Sequence, residues 1–116
     1  MQYSHESYKV GHSPDPDDAF MFHAMTTGAI NTNGRNYEHV LLDIETLNQH
    51  ALKGKYEISA VSIHSFPTIA EKYHLMNCGA SMGEGYGPMI ISTNEISIEE
   101  AKKAKIAIPG LGTSAY

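Results

Sequence analysis

Small hydroxyl side chains recur at three places where an apolar stretch gives way to a helix signal: Ser13, Ser62 with Ser65, and Thr113 with Ser114. The first amide groups of a helix have no partner inside it and carry the positive end of its dipole, so such turns attract anions. A hydroxyl beside them adds a donor without blocking the approach. The chemistry on offer is recognition of a carboxylate or another oxygen-rich small molecule. Taken singly each Ser or Thr reads as a simple helix cap. Three along one edge read as a pocket.

Histidines and acids are the second source of chemistry. None of the seven histidines stands four residues from another, the spacing of a helical zinc pair. His12 beside Ser13, and His64 between Ser62 and Ser65, suggest a Ser-His nucleophile, but no G-x-S-x-G elbow is present. Pocket lining is the expectation for His12 and His64, and surface or rim positions for His5, His39, His50 and His74. In the stretch GHSPDPDDAF, Asp15, Asp17 and Asp18 superficially resemble a calcium loop. That loop needs Gly at its sixth position and Glu at its twelfth, and both are missing. Pro14 and Pro16 instead favour a rigid, near-extended turn, and the acids complement the dipole of the helix that follows. Pro14 and Asp18 are therefore placed with the pocket-lining residues, and neither a metal nor a cofactor is expected.

The glycines divide into two groups. Gly110-Leu111-Gly112-Thr113-Ser114-Ala115 satisfies a relaxed G-x-G-x-x-A fingerprint but lacks the βαβ continuation and downstream acid of a dinucleotide site; no Gly-Lys-Ser/Thr follows, so it is not a P-loop. Ser81 to Pro88, with Gly83, Gly85 and Gly87, reads as a crossing loop whose backbone can pass close to a ligand.

The elements that must hold these residues alternate. Tyr8–His12 reads as a strand. Asp17 or Asp18 caps a helix running to about Thr27 and closed by Gly28, with Phe20, Ala24 and Thr27 on one face and Met21 and Met25 beside it. After the Asn-Gly turn of NTNGR comes a strand, Tyr37–Leu42. Asp43 then caps a helix with Ile44, Leu47, Ala51 and Leu52 on one stripe and Gly54 at its end. Glu57–Ile63 reads as an apolar strand and Ser65–Tyr73 as a third helix with Pro67 in its first turn. Further strands are expected at Pro88–Ser92 and Lys105–Ile108, separated by a helix that opens on the Ser97/Glu100 capping box. This alternation implies an α/β fold with a mixed, mainly parallel sheet flanked by helices. Ligands of such sheets collect at the carboxyl ends of the strands, where the hydroxyl turns fall.

Bulk composition narrows the classes. At 116 residues the chain is weighted to one domain, with Met1 to Ser7 expected to fray. Eight basic against thirteen acidic residues weigh against nucleic acid, and the Lys102-Lys103-Ala104-Lys105 cluster reads as a solvated helix face. Cys78 is the lone cysteine, which excludes an internal disulfide and fits a reducing compartment. The N-terminus lacks a secretion-signal pattern and no apolar run approaches the ~18 residues of a membrane helix. A cytoplasmic protein with no membrane partner is the expectation; oligomeric state is not legible.

Four ordered segments carry a family resemblance. Ser13-Pro14-Asp15-Pro16-Asp17-Asp18-Ala19-Phe20 resembles the S-P-x-P-[DN]-D-x-F signature of menaquinone-biosynthesis lyases of the futalosine route, the 1,4-dihydroxy-6-naphthoate synthases. Asp43-Ile44-Glu45-Thr46-Leu47-Asn48 resembles their D-[VI]-E-T-L-N helix. Gly87-Pro88-Met89 and Pro109-Gly110-Leu111-Gly112-Thr113-Ser114-Ala115-Tyr116 resemble their G-P-L and P-G-x-x-T-[TS]-A-Y segments. The resemblance implies the first lobe of a type II periplasmic-binding-protein-like fold, truncated before its second lobe. It implies substrate contacts at Ala60, Val61 and Ser62 and at Thr113 and Ser114, with Ser13 at the same edge. The proton-accepting His of the family falls in a segment beyond Tyr116, so no catalytic residue is assigned, and the chain alone is expected to bind weakly and turn over nothing. The implied substrate is a futalosine-derived carboxylate. A solute-binding protein for a small organic anion and a chorismate dehydratase on the same fold are the alternatives. Asp15-Pro16-Asp17-Asp18 departs from the Cys-Pro-Asn-Asp usual in the lyases and makes the mouth of the proposed cleft acidic.

Overall fold

The structure, a computed structural model, describes residues 6–116. The fraying expected for Met1 to Ser7 and the rim position expected for His5 fall, as far as His5, outside the described residues. Ser7 is already the first residue of a strand. Three strands, β1 (Ser7–His12), β2 (Asn36–Leu41) and β3 (Ile58–Ser59), form one sheet in the order β2-β1-β3, and both pairings are parallel. Helices α1 (Pro16–Thr26), α2 (Ile44–Leu52), α3 (Phe66–Ile69) and α4 (Ile98–Ala101) complete the fold, with a single 3-10 turn at Ile63–Ser65.

The expected fold class holds: α/β, with a parallel sheet flanked by helices. Register explains which side chains meet. Tyr8 pairs with Tyr37, Val10 with His39 and His12 with Leu41. Side chains alternate along a strand, so Tyr8, Val10 and His12 share one face with Tyr37, His39 and Leu41. The Tyr8 and Tyr37 rings stack at 5.7 Å. On the opposite face Gly11 leaves room for α2: a Cβ added there would lie 2.8 Å from Leu47 and 2.9 Å from Tyr56. Leu47, Ala51, Tyr56 and Ile69 are buried on this side and Val10 on the other, and Tyr73 closes the α2 side by donating its hydroxyl to the Tyr56 carbonyl at 2.7 Å.

Local signals set the helix ends. The Asp43 side chain accepts from the Thr46 amide at 2.9 Å, and Gly28 and Gly54 follow α1 and α2 with φ of 69° and 64°. Both glycines occupy the left-handed conformation that ends a helix. Asn33 and Gly34, with φ of 53° and 80°, form the tight turn before β2. The capping box forms in full, Ser97 and Glu100 each bonding the other's amide.

Four expectations are corrected. Helix α1 starts one turn element earlier than expected, with Asp15 at its N-cap and Pro16 at its first position, because proline already has the helical φ and has no amide to satisfy. Its sheet-facing side carries Phe22 and Met25, Met21 lies toward Gly79, and Phe20 is 88% exposed. The strand expected at Glu57–Ile63 pairs only at Ile58–Ser59 before turning, and the Ser62 amide is taken by the Asn48 side chain instead of a ladder. The helix expected over Ser65–Tyr73 is regular only at Phe66–Ile69, continuing as turns to Tyr73.

The largest correction concerns Pro88–Ser92 and Lys105–Ile108, which form no strands; the sheet is consequently wholly parallel where a mixed one was expected. Neither run meets an open strand edge, so their backbones have no ladder and Met89, Ile90 and Ile91 stand in solvent. The radius of gyration is 17.8 Å. A compact chain of this length has about 13 Å. Residues 74–108, between Tyr73 and Pro109, are exposed almost throughout. Among the described residues no helix is long and apolar enough to cross a membrane.

Candidate binding edge

Because all three strands run the same way, their carboxyl ends lie along one edge. Ser13 follows β1 directly, and the β1–β3 ladder is extended by the Ala60 amide on the Gly11 carbonyl, 2.8 Å. The half-buried Ala60 and Val61 carry the chain from there to Ser62. The edge's organiser is a residue the sequence reading placed on α2 without a role. Asn48 is 2% exposed. Its Oδ1 accepts from the Ser62 amide at 2.9 Å, and its Nδ2 donates to the Ser62 hydroxyl at 3.2 Å and the Gly112 carbonyl at 3.1 Å.

The Pro109–Tyr116 loop docks on this point. The Ser65 hydroxyl donates to the Gly112 carbonyl at 2.5 Å, the Gly112 amide donates to the Glu45 carboxylate at 3.0 Å, and the His64 amide donates to the Ser114 hydroxyl at 3.3 Å. The glycines are sterically required here. At Gly110, where φ is 143°, a Cβ would run into the Glu45 carboxylate, and at Gly112 it would come within 3.0 Å of Glu45 and Ser65. The G-x-G spacing thus lets the loop seat against α2.

The hydroxyls differ in what they have left to give. A hydroxyl has one proton to donate and two lone pairs. Thr113, 3% exposed, donates to the Gly110 carbonyl at 2.9 Å, and Ser65 donates to Gly112; both protons are engaged. Ser62 accepts from Asn48, Ser114 accepts from the His64 amide, and Ser13 accepts from the Asp15 amide at 3.0 Å. Among the described residues these three donate to nothing, so each is fixed in place by its lone pairs with its proton free for a guest.

The structure therefore brings the Ser62/Ser65 and Thr113/Ser114 corners into direct contact and sets Ser13 on the same edge, held by its own local bonds. Ser13 donates its amide to Asp18 at 2.7 Å, and Pro14 is exposed beside it. Asp17 is tied differently: the Ser81 hydroxyl, then backbone amides, hold its carboxyl below the usual carboxylate value. The Ser13–Asp18 and Asp15–Ser13 bonds account for the acidic turn as a brace between α1 and Ser13. His64 contributes its amide, and its side chain is exposed.

His12 is not on the rim. It is 3% exposed, with its ring 4.2 Å from that of Phe22 and its Nε2 2.9 Å from Nδ1 of His39. His39, expected at the surface, is half-buried in the same stack. The β1 alternation puts both on the α1 face, a consequence readable only once the register is known. Phe22 and Asn48 were missed for a common reason: an apolar or amide side chain inside a helix carries no local mark of what it touches. A shallow depression lined by Met25, Ile30, Arg35 and Tyr37 lies at the opposite, amino end of β2 and contains none of these hydroxyls.

Comparison with known proteins supplies the context. The 1,4-dihydroxy-6-naphtoate synthase of Thermus thermophilus is 32% identical over 111 residues, 96% of this chain and 40% of the relative. The synthase of the same name from Streptomyces coelicolor is 26% identical over 113 residues, 97% of this chain and 39% of the relative. The chain spans about two fifths of the length of these curated relatives. A crystal structure of an Archaeoglobus fulgidus protein superposes with a TM-score of 0.71 at 47% identity, covering 79% of this chain and 34% of that one. A sequence model of a family described as menaquinone biosynthesis matches residues 8–116, and with all but the first seven residues matched, the chain belongs to that family.

Proposed function

We propose that this chain supplies the anion-holding edge of a 1,4-dihydroxy-6-naphthoate synthase-like lyase, which cleaves cyclic dehypoxanthinyl futalosine in menaquinone biosynthesis. The carrying observation is the set of unused hydroxyl protons on Ser13, Ser62 and Ser114, fixed along one sheet edge by Asp15, Asn48 and His64. Such donors suit a carboxylate or carbonyl oxygen and cost no reorganisation when the guest arrives. The role of this part of the protein is orientation: holding a reacting group in place accelerates chemistry performed by residues elsewhere. A histidine base outside these residues takes the proton, since its pKa suits proton transfer near neutral pH. No step requires a metal or cofactor.

The test uses the full-length protein and the cyclic futalosine compound. Formation of 1,4-dihydroxy-6-naphthoate, with KM raised by Ser62→Ala and Ser114→Ala, is the expected result. Binding of the compound without product would overturn the lyase reading in favour of a solute-binding protein for a small organic anion. Conversion of chorismate instead would assign the sister dehydration.

A further inference from the structure

On the α1 face of the sheet, the contacts of two histidines fix every proton position. Nδ1 of His12 lies 3.0 Å from the Ser13 carbonyl oxygen. A carbonyl only accepts, so this nitrogen carries the proton, and in a neutral ring Nε2 is then bare and accepts. Its partner at 2.9 Å is Nδ1 of His39, which must donate. Nε2 of His39 is therefore bare as well, and that atom is buried with no hydrogen-bond partner among the described residues.

We propose that His12 and His39 form a pH-sensitive brace for the Ser13 corner: the neutral pair holds the corner closed, and a proton taken from solvent by Nε2 of His39 opens it. That nitrogen is the one ring site left to protonate. Once protonated it presents a buried N–H without an acceptor, and a charge in a partly dry site, both of which disfavour the closed arrangement. β2 is at the edge of the sheet, so the His39 ring can relieve both by turning to solvent. His12 then loses its donor, and the Ser13 carbonyl loses a fixed partner.

Among the described residues no carboxylate contacts either ring to hold the added proton. From α1 the pair meets the Phe22 ring; Asp18 is engaged by the Ser13 amide, Asp17 is held by Ser81, and His23 is exposed. On the strands Lys9 and Glu38 alternate to the other face, while Tyr8 and Tyr37 on the same face stack on each other. Burial first, and the neighbouring His12 ring second, hold His39 below its ordinary value of 6.5. With the folded value lowered, the stabilisation from the neutral pair is complete above pH 6.5 and is lost as pH falls from there through the folded value.

Imidazole 15N NMR on the full chain between about pH 8 and about pH 5 tests this, because the range brackets the ordinary titration of histidine. Expected are a proton on Nδ1 of both rings at the upper limit, uptake at Nε2 of His39 below pH 6.5, and Ser13 amide protection, corrected for the intrinsic pH dependence of exchange, falling about tenfold over the same range. His39→Gln, whose amide still donates to His12, should remove the pH response. An Nε2–H tautomer on either ring, titration of His39 at or above 6.5, or flat exchange at Ser13 would each overturn the proposal.

Discussion

The residues from Glu6 to Tyr73 and those from His74 to Ile108 are similarly supplied with large apolar side chains, and the two stretches behave in opposite ways. Among the described residues, every buried hydrophobic one lies in the first: Val10, Leu47, Ala51, Tyr56 and Ile69. In the second, Met82, Tyr86, Met89 and Ile91 are 76–90% exposed. Composition and β-propensity do not separate them. The first stretch has a central strand with a partner on each side and a glycine that admits α2, so Leu47, Tyr56 and Val10 find a surface, while Phe20 and Ile63 stay exposed. The second has strand-forming runs that pair with neither edge of the sheet. Strand propensity describes fitness for a half-buried pleated surface, and without that surface it fixes nothing.

Truncation separates the two most sharply. Leu47→Ala empties a site that is 0% exposed and should cost about 2–5 kcal/mol in denaturant unfolding. Ile91→Ala, at 88% exposed, should stay within about 0.5 kcal/mol. Equal losses at the two positions would show that the second stretch is packed after all. The glycines give the reciprocal test. Gly11→Ala forces a methyl against Leu47 and Tyr56, at an expected cost of about 1–3 kcal/mol, whereas Gly87→Ala meets nothing within 4 Å and should be silent.

The Pro109–Tyr116 loop belongs with the first stretch through its bonds to α2, and Asn48→Ala sharpens that boundary. It leaves the Ser62 amide without its partner and the Gly112 carbonyl with one fewer, an expected loss of about 1–3 kcal/mol. Faster amide exchange at Gly112 and Ser62, with exchange in β2 unchanged, is the accompanying signature. The smallest contrast is between caps. Asp43→Ala should lower the midpoint of global unfolding, while Ser97→Ala should erase the α4 chemical-shift signature and leave the midpoint where it is. Thr46, through its hydroxyl and then its amide, holds the Asp43 carboxyl below its ordinary 3.8. The cap's contribution is accordingly present above that value and fades as pH falls through the lower folded one. Asp43→Asn should flatten that part of the acid limb.

Much of the first stretch was legible because its signals are local. Asp43, Gly28, Gly54 and the Asn33-Gly34 turn each act within a few residues, and the order of β1, α1, β2, α2 and β3 follows from them. The hydroxyl turns were legible as well, since strand direction alone brings Ser13 and Ser62 to one edge. Which hydroxyl retains its proton was not: Thr113 and Ser114 are neighbours in sequence, and only the fold reveals that one bonds Gly110 while the other is approached by His64. The same limit hid His39, whose burial depends on a register set by strands 27 residues apart at His12. Pro88–Ser92 misled in the other direction, since a sequence pattern states what a strand would need without stating that it is met.

The parallel sheet has a practical corollary for handling the protein. Its connections sort into two populations, with Gly28–Arg35 and Gly54–Glu57 at one end and the hydroxyl corners at the other. A tag or reporter spliced between Asn33 and Gly34 lengthens a surface turn, and lengthening such a turn is thermodynamically mild. It sits a strand's length from Ser62, so a label there can report on the chain without touching whatever the far end holds.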